Sequence, residues 1–140
     1  MDVHHIFKWF YLHFDRTECN HAIIHHKKTK PLGSGRHFQA WSHKEFALCE
    51  GKNLPQNWSS WMQKVASLGP QKLIPPFELL NDHTIVMPKL QHCRSVADNS
   101  EDSIYVNAQL KKIKLQINDL QIGTFQGVPF VYDWSDLKAL

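Results

Sequence analysis

The stretch Ile113-Lys114-Leu115-Gln116-Ile117-Asn118-Asp119-Leu120-Gln121-Ile122-Gly123-Thr124-Phe125-Gln126-Gly127-Val128-Pro129-Phe130-Val131-Tyr132 carries the clearest pattern in the chain. Ile113, Leu115 and Ile117 fall on one side of an extended backbone, with Lys112, Lys114 and Gln116 on the other. This is the two-residue period of a strand with one wet face. Asn118-Asp119 offers turn chemistry before Leu120 and Ile122, and Gly127 can reverse the chain into Val128–Tyr132. Three antiparallel strands follow from this pattern. Upstream, Pro75-Pro76 enforces an extended lead-in, and Thr84-Ile85-Val86-Met87 is a short apolar run ended by Pro88. Residues 94–103 are polar and acidic and read as a solvated loop.

Helical signals lie in the middle of the chain. Ser42-His43-Lys44-Glu45 has the spacing of a capping box, with Phe46, Leu48 and Cys49 following before Gly51, which predicts a short helix. A second helix is predicted after Asn57, where Trp58, Trp61, Met62, Val65 and Leu68 recur at helical spacing until Gly69-Pro70. The aromatic opening, Ile6 to Phe14, fits both periods, and its ring content tips the reading toward a strand. Asp15 to Asn20 reads as a polar break, and the residues from His25 through Gly35 as a basic, flexible loop. The expected fold is therefore α+β: one domain over residues 1–140, with a basic His-rich segment 1–44, a helical segment 42–69 and a β-rich segment 73–134. An antiparallel C-terminal β-meander accompanies two short central helices.

Composition narrows the class. A chain of 140 residues suits one core, and 42% hydrophobic with 21% charged residues matches ordinary soluble proteins. No apolar run approaches the ~20 residues that span a bilayer. The opening segment, interrupted by His4, His5, Lys8 and His13, differs from a cleavable secretory signal. A cytoplasmic location without membrane attachment is expected. Cys19, Cys49 and Cys93 are odd in number and widely spaced, so they provide no disulfide framework and no paired knuckle.

Charge is unevenly distributed. Residues 1–44 hold seven Lys and Arg against three Asp and Glu, whereas residues 45–140 hold nine against ten. Eight of the ten histidines also lie in the first 43 residues, and imidazole ordinarily titrates near pH 6.5. Lys27, Lys28, Lys30, Arg36 and His37, with Trp41 nearby, combine cations for phosphate contacts with rings for stacking on unpaired bases. The expected function is non-catalytic: an accessory protein that docks by this basic surface onto nucleic acid or a nucleoprotein complex. An alternative is an inhibitor or adaptor module in which the same cations meet an acidic protein partner and a tryptophan anchors the contact.

Catalytic patterns are fragmentary. Asp82-His83-Thr84-Ile85-Val86-Met87-Pro88 resembles the Asp-His-hydrophobic-Pro core of HNH nucleases. The resemblance implies a histidine at a strand end that activates water beside a metal ion, with further Asn or His ligands on a following helix. His92, Asn99 and Asn107 are the local residues that could serve. Pairs such as His4-His5, His21 with His25 and His25-His26 invite zinc, yet no Glu follows His21 as a His-Glu-x-x-His motif requires. Cys93, between His92 and Arg94, has cations that would favour a thiolate. Gly33-Ser34-Gly35 completes no phosphate-loop pattern. No metal and no cofactor are expected.

Overall fold

The computed structural model describes residues 2–34 and 37–140, the side chain of Ser34 excepted. Its amino-terminal third is helical. Helix α1 (Val3–His13) begins where the Asp2 carboxylate accepts the His5 N–H at 2.9 Å, and it buries Ile6, Phe7 and Phe10. Helix α2 (Arg16–His26) is capped by Asp15, which accepts the Glu18 N–H at 3.0 Å, and it buries Cys19 and Ile23 one turn apart. These two helices replace the predicted opening strand and the predicted polar break, while of the predicted basic loop only His25 and His26 join α2 and residues 27–32 are irregular as expected. Aromatic β-propensity is a weak preference, and a capped stripe at i, i+1 and i+4 with a sheet to cover overrides it.

That sheet is five-stranded and antiparallel. It comprises β1 (Gly33–Ser34), β2 (Phe38–His43), β3 (Phe46–Gly51), β4 (Glu78–Asn81) and β5 (Thr84–Pro88), in the order β1-β2-β3-β5-β4. The predicted helix at Ser42–Cys49 is in fact the β2–β3 hairpin, with His43 opposite Phe46 and Lys44 at φ 55° in the turn. The capping-box spacing was coincidental. Phe46 and Leu48 pack toward α1 and α2, while Ala47 belongs to the core on the other side, which is the alternation of a strand buried on both faces. The second predicted helix forms as α3 (Trp58–Ala66), burying Trp58, Met62 and Val65, although Asn57 makes no side-chain cap. Asp82-His83 forms the turn between β4 and β5, where Asn81 Oδ1 accepts the His83 N–H at 3.0 Å.

The C-terminal part has its own small antiparallel sheet, meander-like as expected. Strands β6 (Gln91–Ser95), β8 (Gln121–Phe125) and β9 (Val128–Val131) pair in the order β6-β8-β9. Gln126 (φ 50°) and Gly127 (φ 81°) make the two-residue β8–β9 turn, the left-handed pair that matches strand twist. The third expected strand, β7 (Leu115–Ile117), pairs instead with β10 (Leu137–Ala139). Between β6 and β7 the chain forms helix α4 (Glu101–Lys111), capped by Ser100, where the sequence reading placed loop and strand. Only Ser103, Val106 and Leu110 are buried on α4, too sparse an apolar stripe to announce a helix.

The five-stranded sheet is thus covered twice. On one side Phe10, Cys19 and Ile23 meet Trp41, Leu48 and Val86. On the other, α3, α4 and the C-terminal strands enclose the larger core around Trp58, Met62, Ile85, Leu110 and Trp134. Among the described residues no helix is long and apolar enough to cross a membrane.

Candidate functional site

On the larger-core side, a cleft of about 600 Å³ opens between the five-stranded sheet and the C-terminal part. One wall comes from the sheet: Gly33 of β1, His37 just before β2, Phe38 and Ala40 of β2, Cys49 of β3 and Ile85 of β5. The facing wall carries Asp119, Gln121, Tyr132, Asp133, Ser135 and Asp136. An apolar surface therefore looks across at carboxylates.

Local structure fixes the backbone that carries Asp119 and the side chain of Asp133. Asp119 follows β7 at φ 51°, a left-handed conformation that Asp tolerates better than most residues. The loop before it is fixed by Asn107 of α4, whose Nδ2 donates to the Ile117 carbonyl at 3.2 Å while its Oδ1 accepts the Ile117 N–H at 2.9 Å. Asp133 accepts both the Ser135 N–H (3.1 Å) and the Ser135 hydroxyl (2.7 Å), which folds the Asp133-Trp134-Ser135 segment into a tight turn. Trp58 Nε1 of α3 donates to the Trp134 carbonyl at 3.1 Å and so ties that turn to the helix. Trp134 lines the cleft, is 1% exposed, and its own Nε1 has no hydrogen-bond partner among the described residues. Such a buried donor costs roughly 1–3 kcal/mol unless something accepts it.

Proton affinities follow the same layout. Burial, with the Asp133 carboxylate adding to it, pushes the Cys49 thiol up to about 12, so the sheet wall presents a neutral thiol. Tyr132 is raised by burial, then by Cys93 and Asp133, and its hydroxyl donates to Gln121 Oε1.

The residues expected from sequence to form a basic binding surface are only partly brought together. Lys27, Lys28 and Lys30 are exposed just beyond α2, but Lys27 Nζ lies 2.8 Å from Glu50 Oε2. His37 stands half-buried at the cleft, on the sheet wall. Arg36 lies outside the described residues. Trp41 is 4% exposed within the core beneath α2, so the expected recognition ring is not available for stacking.

The other sequence candidates also change. After β5 the chain enters β6, not the helix that the HNH resemblance requires, and His83 Nε2 lies 3.9 Å from Glu50. No group of three or more His, Cys, Asp or Glu placed to hold a metal exists among the described residues. The Cys93 thiol is raised by burial, which opposes the effect of cations beside it in sequence.

Asp119, Asp133 and Asp136 escaped the sequence reading as site residues, and Asn107 entered it only as a possible metal ligand, not as the residue that holds Ile117. Asn118-Asp119 was legible only as a turn. The available signal was a pair of aspartates flanking the hairpin Gln121–Val131, each at the end of an apolar strand.

The sequence matches no protein-family model, and no curated protein or solved structure is significantly similar to it.

Proposed function

We propose that the cleft binds a nucleoside polyphosphate with a divalent cation, and that nucleotide binding is the protein's primary activity. The observation that carries this reading is the pairing of walls: an apolar sheet surface of Phe38, Ala40 and Ile85 for a planar base, opposite Asp119 and Asp133 for a cation-bridged phosphate chain. Magnesium prefers one or two carboxylates, leaving its remaining positions to water and phosphate oxygens, so the absence of a ready-made three-ligand cage among the described residues is compatible with it.

The order of parts along the chain supports the same reading by analogy. In protein kinases a glycine-rich loop covers the phosphates, an aspartate receives the acceptor proton, and a later aspartate holds magnesium. Here Gly33-Ser34-Gly35 lies between β2 and the preceding helices, Asp119 follows β7, and Asp133-Trp134-Ser135 follows the β8–β9 hairpin. Two departures limit the analogy to binding. The template's strand lysine has no counterpart on the cleft side of β3, where Cys49 stands, and α3 contains no acidic residue to pair with one. Thr124 occupies the place, five residues after the first aspartate, where the template has a metal-binding asparagine. With that cation missing, phosphoryl transfer should be slow.

Titration with ATP, ADP and GTP, with and without MgCl₂, followed by calorimetry and tryptophan fluorescence, tests the reading. Magnesium-dependent binding is expected, with Asp133→Asn weakening it at least about tenfold, equivalent to ~1.4 kcal/mol. Absence of binding, or binding indifferent to Asp133→Asn and Asp119→Asn alike, refutes it.

A further inference from the structure

On the opposite side of the sheet, α2 is anchored at several points. Cys19 and Ile23 are buried, Arg16 Nη1 donates to the Leu79 carbonyl at 2.7 Å, and Glu18 Oε1 lies 2.7 Å from His43 Nε2 and 2.5 Å from Lys44 Nζ. Its outward face is therefore rigid. That face carries His21, Ile24 and His25, at i, i+3 and i+4, all exposed, and Lys28 and Lys30, also exposed, follow in the turn beyond the helix end.

Two properties single out this stripe. Its centre is apolar, since Ile24 is 64% exposed, with Leu32 at 59% past the turn. Its charge is uncommitted: Lys28 and Lys30 form no ion pair among the described residues, whereas Lys27 turns away to Glu50. The acidic side chains against the helix are engaged elsewhere: Asp15 as its cap, Glu18 with His43 and Lys44, Glu78 with Arg16 and Glu50 with Lys27.

We propose that this face of α2 docks an acidic protein segment in which a leucine-like side chain, covering Ile24, is flanked by carboxylates that meet Lys28 and Lys30. Charge complementarity selects an anion, and the exposed isoleucine selects an apolar contact between the charges. Single-stranded nucleic acid stacks its bases on large rings, and neither Trp41, which is buried, nor Phe38, which lines the cleft on the other side of the sheet, is presented on this face. Because α2 and the cleft lie on opposite sides, docking leaves the cleft open.

Fluorescence anisotropy on the full chain tests this with three probes: a labelled peptide of repeating Glu-Glu-Leu, an oligo-Glu of equal length, and a single-stranded oligothymidylate. The leucine-containing peptide should bind about tenfold more tightly than oligo-Glu, with Ile24→Ser and Lys28→Glu each weakening it about fivefold or more. Lys111→Glu, at the end of α4, should change nothing. If Ile24→Ser shifts the melting temperature, Ile24→Gln replaces it as the apolar probe. The proposal is overturned by tighter binding of oligothymidylate, by equal affinity for the two peptides, or by no saturable binding of either.

Discussion

The two faces of the five-stranded sheet are built from similar apolar material but end in different surfaces. On the α1/α2 side, Trp41, Phe46, Leu48 and Val86 are covered by Phe10, Cys19 and Ile23, and the hollow left between the two helices and the β2–β3 turn, lined by His13, Glu18, Lys44 and Phe46, holds about 240 Å³ against about 600 Å³ for the cleft. On the other side, α3 and the C-terminal strands cover most of the sheet but leave a cleft at β2, β3 and β5, where the loops bearing Asp119 and Asp133 rise beside it. A helix laid flat on a sheet closes it. Loops arriving at the edge of a sheet leave room for a ligand and bring polar groups to it.

The contrast can be broken in several ways, beginning with the cores. Trp58→Ala should destabilise the protein by about 3–5 kcal/mol in urea unfolding and also abolish nucleotide binding in the folded fraction, because the bond to the Trp134 carbonyl goes with the ring. Phe10→Ala, behind the sheet, should cost a comparable ~3–5 kcal/mol yet leave nucleotide affinity of the folded fraction nearly unchanged. Equal loss of binding in both variants would erase the distinction between the faces. Asn107→Ala comes next: with the Ile117 N–H and carbonyl left without their partner, about 1–3 kcal/mol should be lost, and affinity should fall as the Asp119 loop drifts.

The smallest effect belongs to the ion cluster behind the sheet. Lys44, and after it His43, hold the Glu18 carboxyl below its ordinary value of 4.5. A carboxyl depressed by folding contributes stability that is fully present above its unfolded pKa and is lost as pH falls through the folded one. Glu18→Gln should therefore lower the urea midpoint slightly at pH 7, with the difference from the parent shrinking as the pH falls below 4.5 and through the depressed folded-state pKa. A difference that persists unchanged in acid would show that Glu18 acts by packing alone.

What was legible depended on whether the signal was local. Trp58, Met62 and Val65 spell α3 because a helix over a core needs no partner to declare its period, and Gln126-Gly127 spells its turn for the same reason. The Ser42–Glu45 stretch misled because capping residues and hairpin-turn residues are chemically alike. Only the pairing of Phe46 with Pro88 on β5, and of His43 with Phe46, decides between them. Helix α1 misled for a related reason, since its rings suit either period until a sheet stands beneath Phe10. The basic residues were visible, but Lys27 turned out to be paired with a glutamate on β3, and Trp41 to be a core residue.

Read alone, the amino-acid order was enough for the α+β class, the α3 helix, the Gly127 turn and the meander-like C-terminal sheet, because period and turn residues act over a few neighbours. Strand partners, the burial of Trp41, and the gathering of Asp119, Asp133, Cys49 and Ile85 around one cleft were decided only by tertiary structure. Those contacts join residues far apart in the chain, and which of them form depends on how the whole apolar surface is best covered, a property that no short window contains.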